Sequence, residues 1–166
     1  ARLLVDEKVL IPVSSSDWGT PIVPVLKKCG SVRICGDFKV TLNPCLEVEK
    51  FPLPRIDELF ANLQKGEKFS KIDLCQAYTQ LELDPESQKL CTISTHKGLF
   101  CYSRVPFGIT SASAIFQKKI EQTLQGIDQI AVFLDDILIT AENDKAHYEK
   151  LREVCKRLNE KGLTVK

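Results

Sequence analysis

Ile130-Ala131-Val132-Phe133-Leu134-Asp135-Asp136-Ile137-Leu138-Ile139 is an apolar run broken at its centre by two adjacent carboxylates. With apolar arms on both sides, it reads as two β-strands joined by a tight hairpin. Hairpin turns ordinarily use Asn-Gly or Asp-Gly, and this one has no glycine, so turn chemistry alone does not explain the pair. Adjacent carboxylates held against apolar strands repel each other, at a cost of order 1 kcal/mol or more, unless a cation sits between them. A divalent metal is the simplest such cation. Magnesium takes hard oxygen ligands, commonly one or two carboxylates plus substrate phosphates, and a third carboxylate from another strand would complete a two-metal site for phosphoryl transfer. Asp73 is the candidate, because Lys68-Phe69-Ser70-Lys71-Ile72-Asp73 alternates as a strand and Asp73 stands at its exit. An isolated Asp-Asp is more often an exposed acidic turn, so the reading depends on context.

The surrounding sequence supplies that context. Residues 12 to 46 are strand-and-turn sequence, with Pro12, Gly19, Pro21, Pro24, Gly30 and Gly36 punctuating short β-branched runs. Cys29-Gly30 reads as a hairpin turn. From Pro54, the recurrence of Ile56, Leu59, Phe60 and Leu63 predicts a helix, with Gly66 placed for a left-handed C-terminal residue. A short helical turn through Cys75, Gln76, Ala77 and Tyr78 follows Asp73. Strands around Leu90 to Thr95 and Leu99 to Arg104 flank His96-Lys97-Gly98 as a hairpin. Ser111 and Ser113 are placed to cap a helix whose buried stripe is Ile115, Phe116, Ile120 and Leu124, stopped by Gly126. A last helix runs from about Asp144 to Lys161, with Tyr148, Leu151, Val154, Cys155 and Leu158 inward and Gly162 ending it. This order predicts an α+β fold of the split βαβ kind with a β-rich insertion.

Composition narrows the classes. At 166 residues and 43% apolar side chains, the chain can bury one sizeable core, divisible between two lobes. A net charge of +1 provides no global basic field, so any nucleic-acid contact must come from local clusters. Residues 26 to 40 hold Lys27, Lys28, Arg33 and Lys39 against Asp37, four cations against one anion for a local +3. Seven dispersed cysteines without a Cys-x-x-Cys pair argue against a disulfide framework or zinc knuckle and fit a reducing compartment. No apolar run approaches the ~20 residues that span a bilayer, and no secretory signal is evident, so neither membrane nor secretion is expected. No methionine is present, and the chain is expected to be part of something longer.

Three motifs in order carry a resemblance. Phe133-Leu134-Asp135-Asp136 is similar to the aromatic-x-Asp-Asp box of reverse transcriptases. Phe69 to Tyr78 resembles their first catalytic aspartate motif. Val105-Pro106-Phe107-Gly108-Ile109-Thr110-Ser111-Ala112-Ser113-Ala114-Ile115-Phe116-Gln117 is similar to the Pro-x-Gly loop and the helix after it. Upstream, Trp18-Gly19-Thr20-Pro21-Ile22-Val23, Lys27-Lys28 and Arg33 to Lys39 resemble the fingers of gypsy-type retrotransposon and retroviral enzymes, so the likeness covers almost the whole chain. Cys29, Gly36, Lys39 and Phe133 depart from the commoner residues without removing an acidic ligand.

The resemblance implies a polymerase palm, an antiparallel sheet with helices on one face, over 47–80 and 111–166, with β-rich fingers over 1–46 and 81–110 and no thumb. Asp73 and Asp135 would ligate two magnesium ions, with manganese as the alternative, and Asp136 would be a weaker or indirect ligand. Tyr78 would pack under the incoming sugar and favour deoxynucleotides. Arg33 would grip the triphosphate bidentately, assisted by Lys27 or Lys28, while Phe107 and Gly108 would lie near nucleotide or template. Gln117 belongs to the same motif. Implied partners are an RNA or DNA template with primer, deoxynucleoside triphosphates, and a thumb and ribonuclease H elsewhere in a polyprotein, acting in cytoplasmic particles or the nucleus. The competing expectations are a catalytically silent fragment that keeps the fold and some nucleic-acid binding, and an RNA-dependent RNA polymerase, which bulky Tyr78 disfavours.

Overall fold

The computed structural model describes residues 2–26, 30, 32–48 and 51–166, with the side chains of Arg2 and Leu3 left out. Lys27, Lys28 and Cys29, including the expected Cys29-Gly30 turn, fall outside the described set apart from Gly30. The chain divides into two compact units, Ala1–Val48 with Leu81–Ala112, and Glu49–Gln80 with Ser113–Lys166.

The first unit is built on a five-stranded sheet. Its strands are β1 (Leu10–Val13), β2 (Thr20–Leu26), β3 (Val32–Gly36), β5 (Thr92–Thr95) and β6 (Gly98–Tyr102), in the order β1-β6-β5-β2-β3. All pairs are antiparallel except β2 with β5, which run parallel through Thr20↔Ile93 and Pro21↔Ser94. β5 and β6 form the expected hairpin about His96-Lys97, and Gly98 takes φ 110°, open to glycine at little cost. Val9, Leu10, Phe38, Leu42, Cys91, Ile93 and Tyr102 form the core, with the rings of Phe38 and Tyr102 edge-on at 6.3 Å. The expected strand from Leu90 begins later. Pro85–Leu90 is a helix, α3, because Asp84 accepts hydrogen bonds from the Glu86 and Ser87 amides and Pro85 presets the first turn. A short helix, α1 (Arg2–Asp6), precedes β1.

The second unit holds a three-stranded antiparallel sheet of β4 (Lys68–Asp73), β8 (Asp136–Ala141) and β7 (Ile130–Phe133), ordered β4-β8-β7. Ile137 and Ile139 of β8 are fully buried. Helix α4 (Ala112–Leu124) buries Phe116, Ile120 and Leu124 as expected, but Ile115 faces solvent and the fully buried Gln117 takes an inward place. Helix α5 (Asp144–Glu160) starts at Asn143, whose side chain accepts the Ala146 amide, and packs on β8 and β4. Its inward face is Val154 and Leu158 with half-buried Leu151, whereas Tyr148 and Cys155 are exposed. The apolar stripe is thus narrower than the sequence implied, because the sheet beneath covers only part of it.

Helix α2 (Ile56–Asn62) forms where the spacing predicts, started by the Arg55 amide donating to Glu58 Oε2 at 3.0 Å. It buries no residue, and Ile56 and Phe60 are about two-thirds exposed at 66% and 67%. The left-handed residue after it is Lys65 (φ 66°), not Gly66. Gly66 is required for another reason: a Cβ there would stand 1.6 Å from Thr140 Oγ1, and Thr140 is fully buried with its hydroxyl donating to Lys68 O.

Gly66→Ala should therefore destabilise the chain by about 1–3 kcal/mol, as overpacking does, read as a lower urea midpoint at unchanged slope. A wild-type midpoint would show that the loop shifts freely. A second expectation concerns alkali. Burial pushes the Cys91 thiol, ordinarily 9.0, and the Tyr102 phenol, ordinarily 10.0, up to about 12. Folded values above unfolded ones mean that stability is complete below pH 9 and is lost as pH rises from 9 towards 12. Urea unfolding across that range should show the decline, and a flat profile would contradict the burial of these groups.

Candidate active site

The second unit brings the three carboxylate-bearing positions to one end of its sheet. Asp73, last in β4, pairs directly with Asp136, first in β8, in the register Lys68↔Ala141 through Asp73↔Asp136. Directly opposed residues of an antiparallel pair share a face, so these two side chains are neighbours. The ladder continues one step, with the Leu74 amide donating to Asp135 O at 2.9 Å. β7 and β8 close through Phe133↔Asp136, leaving Leu134 and Asp135 as a two-residue turn, the tight hairpin the sequence predicts.

Like charges directly opposed destabilise a sheet, and two lysines answer them here. Lys71 Nζ lies 2.7 Å from Asp136 Oδ2, and Lys166 Nζ lies 2.7 Å from Asp73 Oδ2. Lys71 precedes Asp73 by two residues, so strand alternation puts it on the same face, diagonal to Asp136. Lys166 arrives on the segment that bridges Leu74↔Val165, where its own amide donates to Asp73 O at 2.9 Å. Both lysines have their pKa raised, in each case first by the hydrogen bond to the aspartate. Among the described residues, no group of three or more His, Cys, Asp or Glu side chains stands poised around a metal position. The donor chemistry nonetheless suits a hard divalent cation: Asp73 and Asp136 are opposed at the strand ends with Asp135 in the adjoining turn, and Lys71 and Lys166 supply positive charge to two of these carboxylates.

The turn is strained and clamped. Leu134 has φ 55°, a left-handed conformation that is uncommon for a bulky side chain. Its amide donates to Gln117 Oε1 at 2.7 Å, while Gln117 Nε2 donates to Val132 O at 2.9 Å and Glu121 Oε1 at 2.7 Å. Tyr78, on a 3-10 turn of residues Ala77–Gln80, meets the Phe116 ring edge-on at 5.8 Å. Burial first, and the charge of Asp135 second, raise the Tyr78 phenol above its usual range. Asp73, Asp135, Asp136, Tyr78 and Gln117 are therefore gathered in this unit.

The remaining candidates lie in the first unit. The Arg33 guanidinium stacks 4.2 Å from the centre of the Phe107 ring, a cation–π contact. Gly108 has φ 97°, and a Cβ there would meet Gly36 O at 3.2 Å. Asn43 pins the loop by donating to Gly108 O at 2.8 Å and accepting the Thr110 amide at 3.1 Å. Lys27 and Lys28 lie outside the described residues. Sequence reasoning missed Lys71, Lys166 and Asn43; for Lys71, the i, i+2 spacing to Asp73 was the available signal.

Comparisons with known proteins agree with one another. The sequence profile of the family described as "Reverse transcriptase (RNA-dependent DNA polymerase)" matches residues 25–166. An uncharacterized protein of Caenorhabditis elegans is 43% identical over 159 residues, covering 95% of this chain and 12% of that protein. The retrovirus-related Pol polyprotein from transposon 412 of Drosophila melanogaster is 31% identical over 168 residues, covering 96% and 13%. The chain thus spans about an eighth of the length of these two relatives. Among solved structures, the foamy viral protease-reverse transcriptase dRH in complex with double-stranded DNA superposes with a TM-score of 0.90 at 27% identity, over 98% of this chain and 28% of that one. The foamy viral enzyme in complex with an RNA/DNA hybrid gives 0.88 at 26%, over 98% and 22%. These matches bear out the α+β palm-type fold expected from the sequence.

The charge of Asp135 acts on Tyr78, so Asp135→Asn should lower the Tyr78 phenol pKa towards its ordinary value while burial keeps it above that value. Ring-carbon NMR titration of labelled tyrosine reads this directly. An unchanged Tyr78 titration would separate the two groups.

Proposed function

The chain belongs to the reverse transcriptase (RNA-dependent DNA polymerase) family, and from that membership we propose that it is the nucleotidyl-transfer core of such an enzyme, extending a primer with deoxynucleotides on an RNA or DNA template. The observation that carries this is the direct cross-strand pairing of Asp73 with Asp136 beside the Asp135 turn. On this reading Glu49–Gln80 with Ser113–Lys166 is the palm and Ala1–Val48 with Leu81–Ala112 the fingers; the division of the chain into these two units supports it.

Asp73 and Asp135 would provide the oxygen ligands for magnesium, or manganese in its place, with Asp136 kept partly engaged by Lys71. Bound there, the divalent cation would ease loss of the primer 3′-hydroxyl proton and balance charge on the triphosphate. The hydroxyl oxygen attacks the α-phosphorus, the α–β phosphoanhydride bond breaks, pyrophosphate leaves and the proton passes to solvent, so no protein general base is needed. Tyr78, braced by Phe116, presents a fixed ring against the sugar and selects for its 2′ position. Arg33 grips the triphosphate, with Phe107 holding its guanidinium plane and Lys27 or Lys28 adding charge. Gly108 lets the backbone come close to nucleotide or template. A thumb and a ribonuclease H would be supplied elsewhere in a Pol-type polyprotein, within particles or the nucleus.

The test is primer extension with magnesium by a longer protein carrying the chain in the place it has in Pol polyproteins. Asp73→Asn and Asp135→Asn should each lower the rate by about a hundredfold or more, as loss of a charge-stabilising group does. Asp136→Asn should cost less, and Tyr78→Ala should admit ribonucleotides. Full activity of Asp135→Asn would overturn the assignment. An inactive wild type that also shows no Asp73-dependent binding of manganese in calorimetry would instead identify a silent fragment.

A further inference from the structure

We infer that Gln117 is the positioning residue of this site, holding the Leu134–Asp135 turn in its left-handed conformation so that Asp135 is presented beside Asp73. The inference rests on the polymerase reading for its consequence, but its geometry is independent of it. Gln117 is fully buried on α4, and its one amide group ties the end of β7 to the first residue of the turn, accepting from the Leu134 amide at 2.7 Å and donating to Val132 O at 2.9 Å. A third bond, to Glu121 Oε1 at 2.7 Å one helical turn on, fixes which end of the amide faces which partner.

The need for such a clamp follows from the turn itself. Leu134 sits at φ 55°, where an L-residue other than glycine is strained, and no glycine relieves it. The ladder bonds that hold β7 to β8 end at Phe133↔Asp136, so they do not reach the turn residues. From the neighbouring strand, the Leu74 amide ties down Asp135 O. Gln117 and Leu74 thus hold the two successive residues of the turn, and between them they fix the backbone that carries the Asp135 carboxylate. Glutamine suits the task because both a donor and an acceptor are required at the end of a side chain of this length. Asparagine is one methylene short, methionine fills the space without either group, and glutamic acid, which burial keeps protonated, offers both.

The experiment compares Gln117→Met, Gln117→Asn and Gln117→Glu with wild type in the 166-residue chain, reading amide hydrogen exchange at Leu134, manganese binding by electron paramagnetic resonance, and thermal unfolding. Gln117→Met and Gln117→Asn should speed Leu134 exchange and weaken manganese binding, each by about five- to tenfold, the effect of losing one hydrogen bond. Gln117→Glu should restore both to within about threefold, which general loss of packing would not permit. Wild-type exchange and manganese affinity in a folded Gln117→Met variant would overturn the role, as would a Gln117→Glu variant no better than Gln117→Met. If Gln117→Met does not fold, wild-type exchange decides: a Leu134 amide as slow as its β8 neighbours supports the clamp, and one as fast as an open turn refutes it. A wild-type chain that binds no manganese overturns the metal reading, while the exchange data still settle what Gln117 holds.

Discussion

The site depends on one register. β4 and β8 pair so that Asp73 faces Asp136, and a slip of one residue would turn one of the two carboxylates to the opposite side of the sheet. What fixes that register is not the charged residues. Ile137 and Ile139 are fully buried on β8, and burying each contributes about 1.5–3 kcal/mol, whereas exposed ion pairs such as Lys71–Asp136 contribute little. The apolar positions therefore set the pairing and the carboxylates are carried into opposition by it. The lysines then relieve a repulsion that the hydrophobic pattern imposes.

The same sequence stretch was legible for a physical reason. The continuous apolar arms around Asp135-Asp136 are both the signal of a hairpin and the cause of its burial, and the Asp73 strand alternates, so the strand pair, its tight turn and the neighbouring strand could be read from residues alone. Gly126 and Gly162, with φ 84° and 69°, end their helices where the sequence placed them. Gly66 shows the limit of that logic. It looked like another helix-ending glycine, yet Lys65 takes the left-handed conformation and Gly66 is small because Thr140 occupies the space its side chain would need. A spatial neighbour 74 positions away leaves no local trace.

Burial was the least legible property. Period 3.6 announces a helix in α2, α4 and α5, but it does not state which elements lie beside it. Phe60 in α2, Ile115 in α4 and Tyr148 in α5 all fit an apolar stripe and all stand exposed, while Gln117, a polar residue, is fully buried. The site residues that sequence reasoning missed fail for the same reason. Lys166 matters because it reaches Asp73 across 93 positions, and Asn43 because it reaches Gly108 across 65. Aspartates could be found by their chemistry; their partners are defined only by the fold.

Those partners share a pattern. Gln117 bonds the backbone at Val132 and Leu134, Asn43 bonds it at Gly108 and Thr110, and Lys150 bonds Thr140 O at 2.9 Å together with Gln129 Oε1 at 2.7 Å. Gln117 serves the end of β7 and the turn after it, Asn43 the loop after β6, and Lys150 a carbonyl of β8 together with the side chain of Gln129, which has φ 57°. A strand ladder repeats its bonds, so losing one leaves neighbours to hold the register. The Gln117 and Asn43 clamps have no such redundancy, because in each a single side chain satisfies two backbone groups, and leaving a buried group unsatisfied costs about 1–3 kcal/mol. The sheet thus gives the carboxylates their common end, and a few amides and one ammonium give the connecting segments their shape. Positional accuracy here resides in polar side chains outside the acidic set, which is why the three aspartates alone do not define the site.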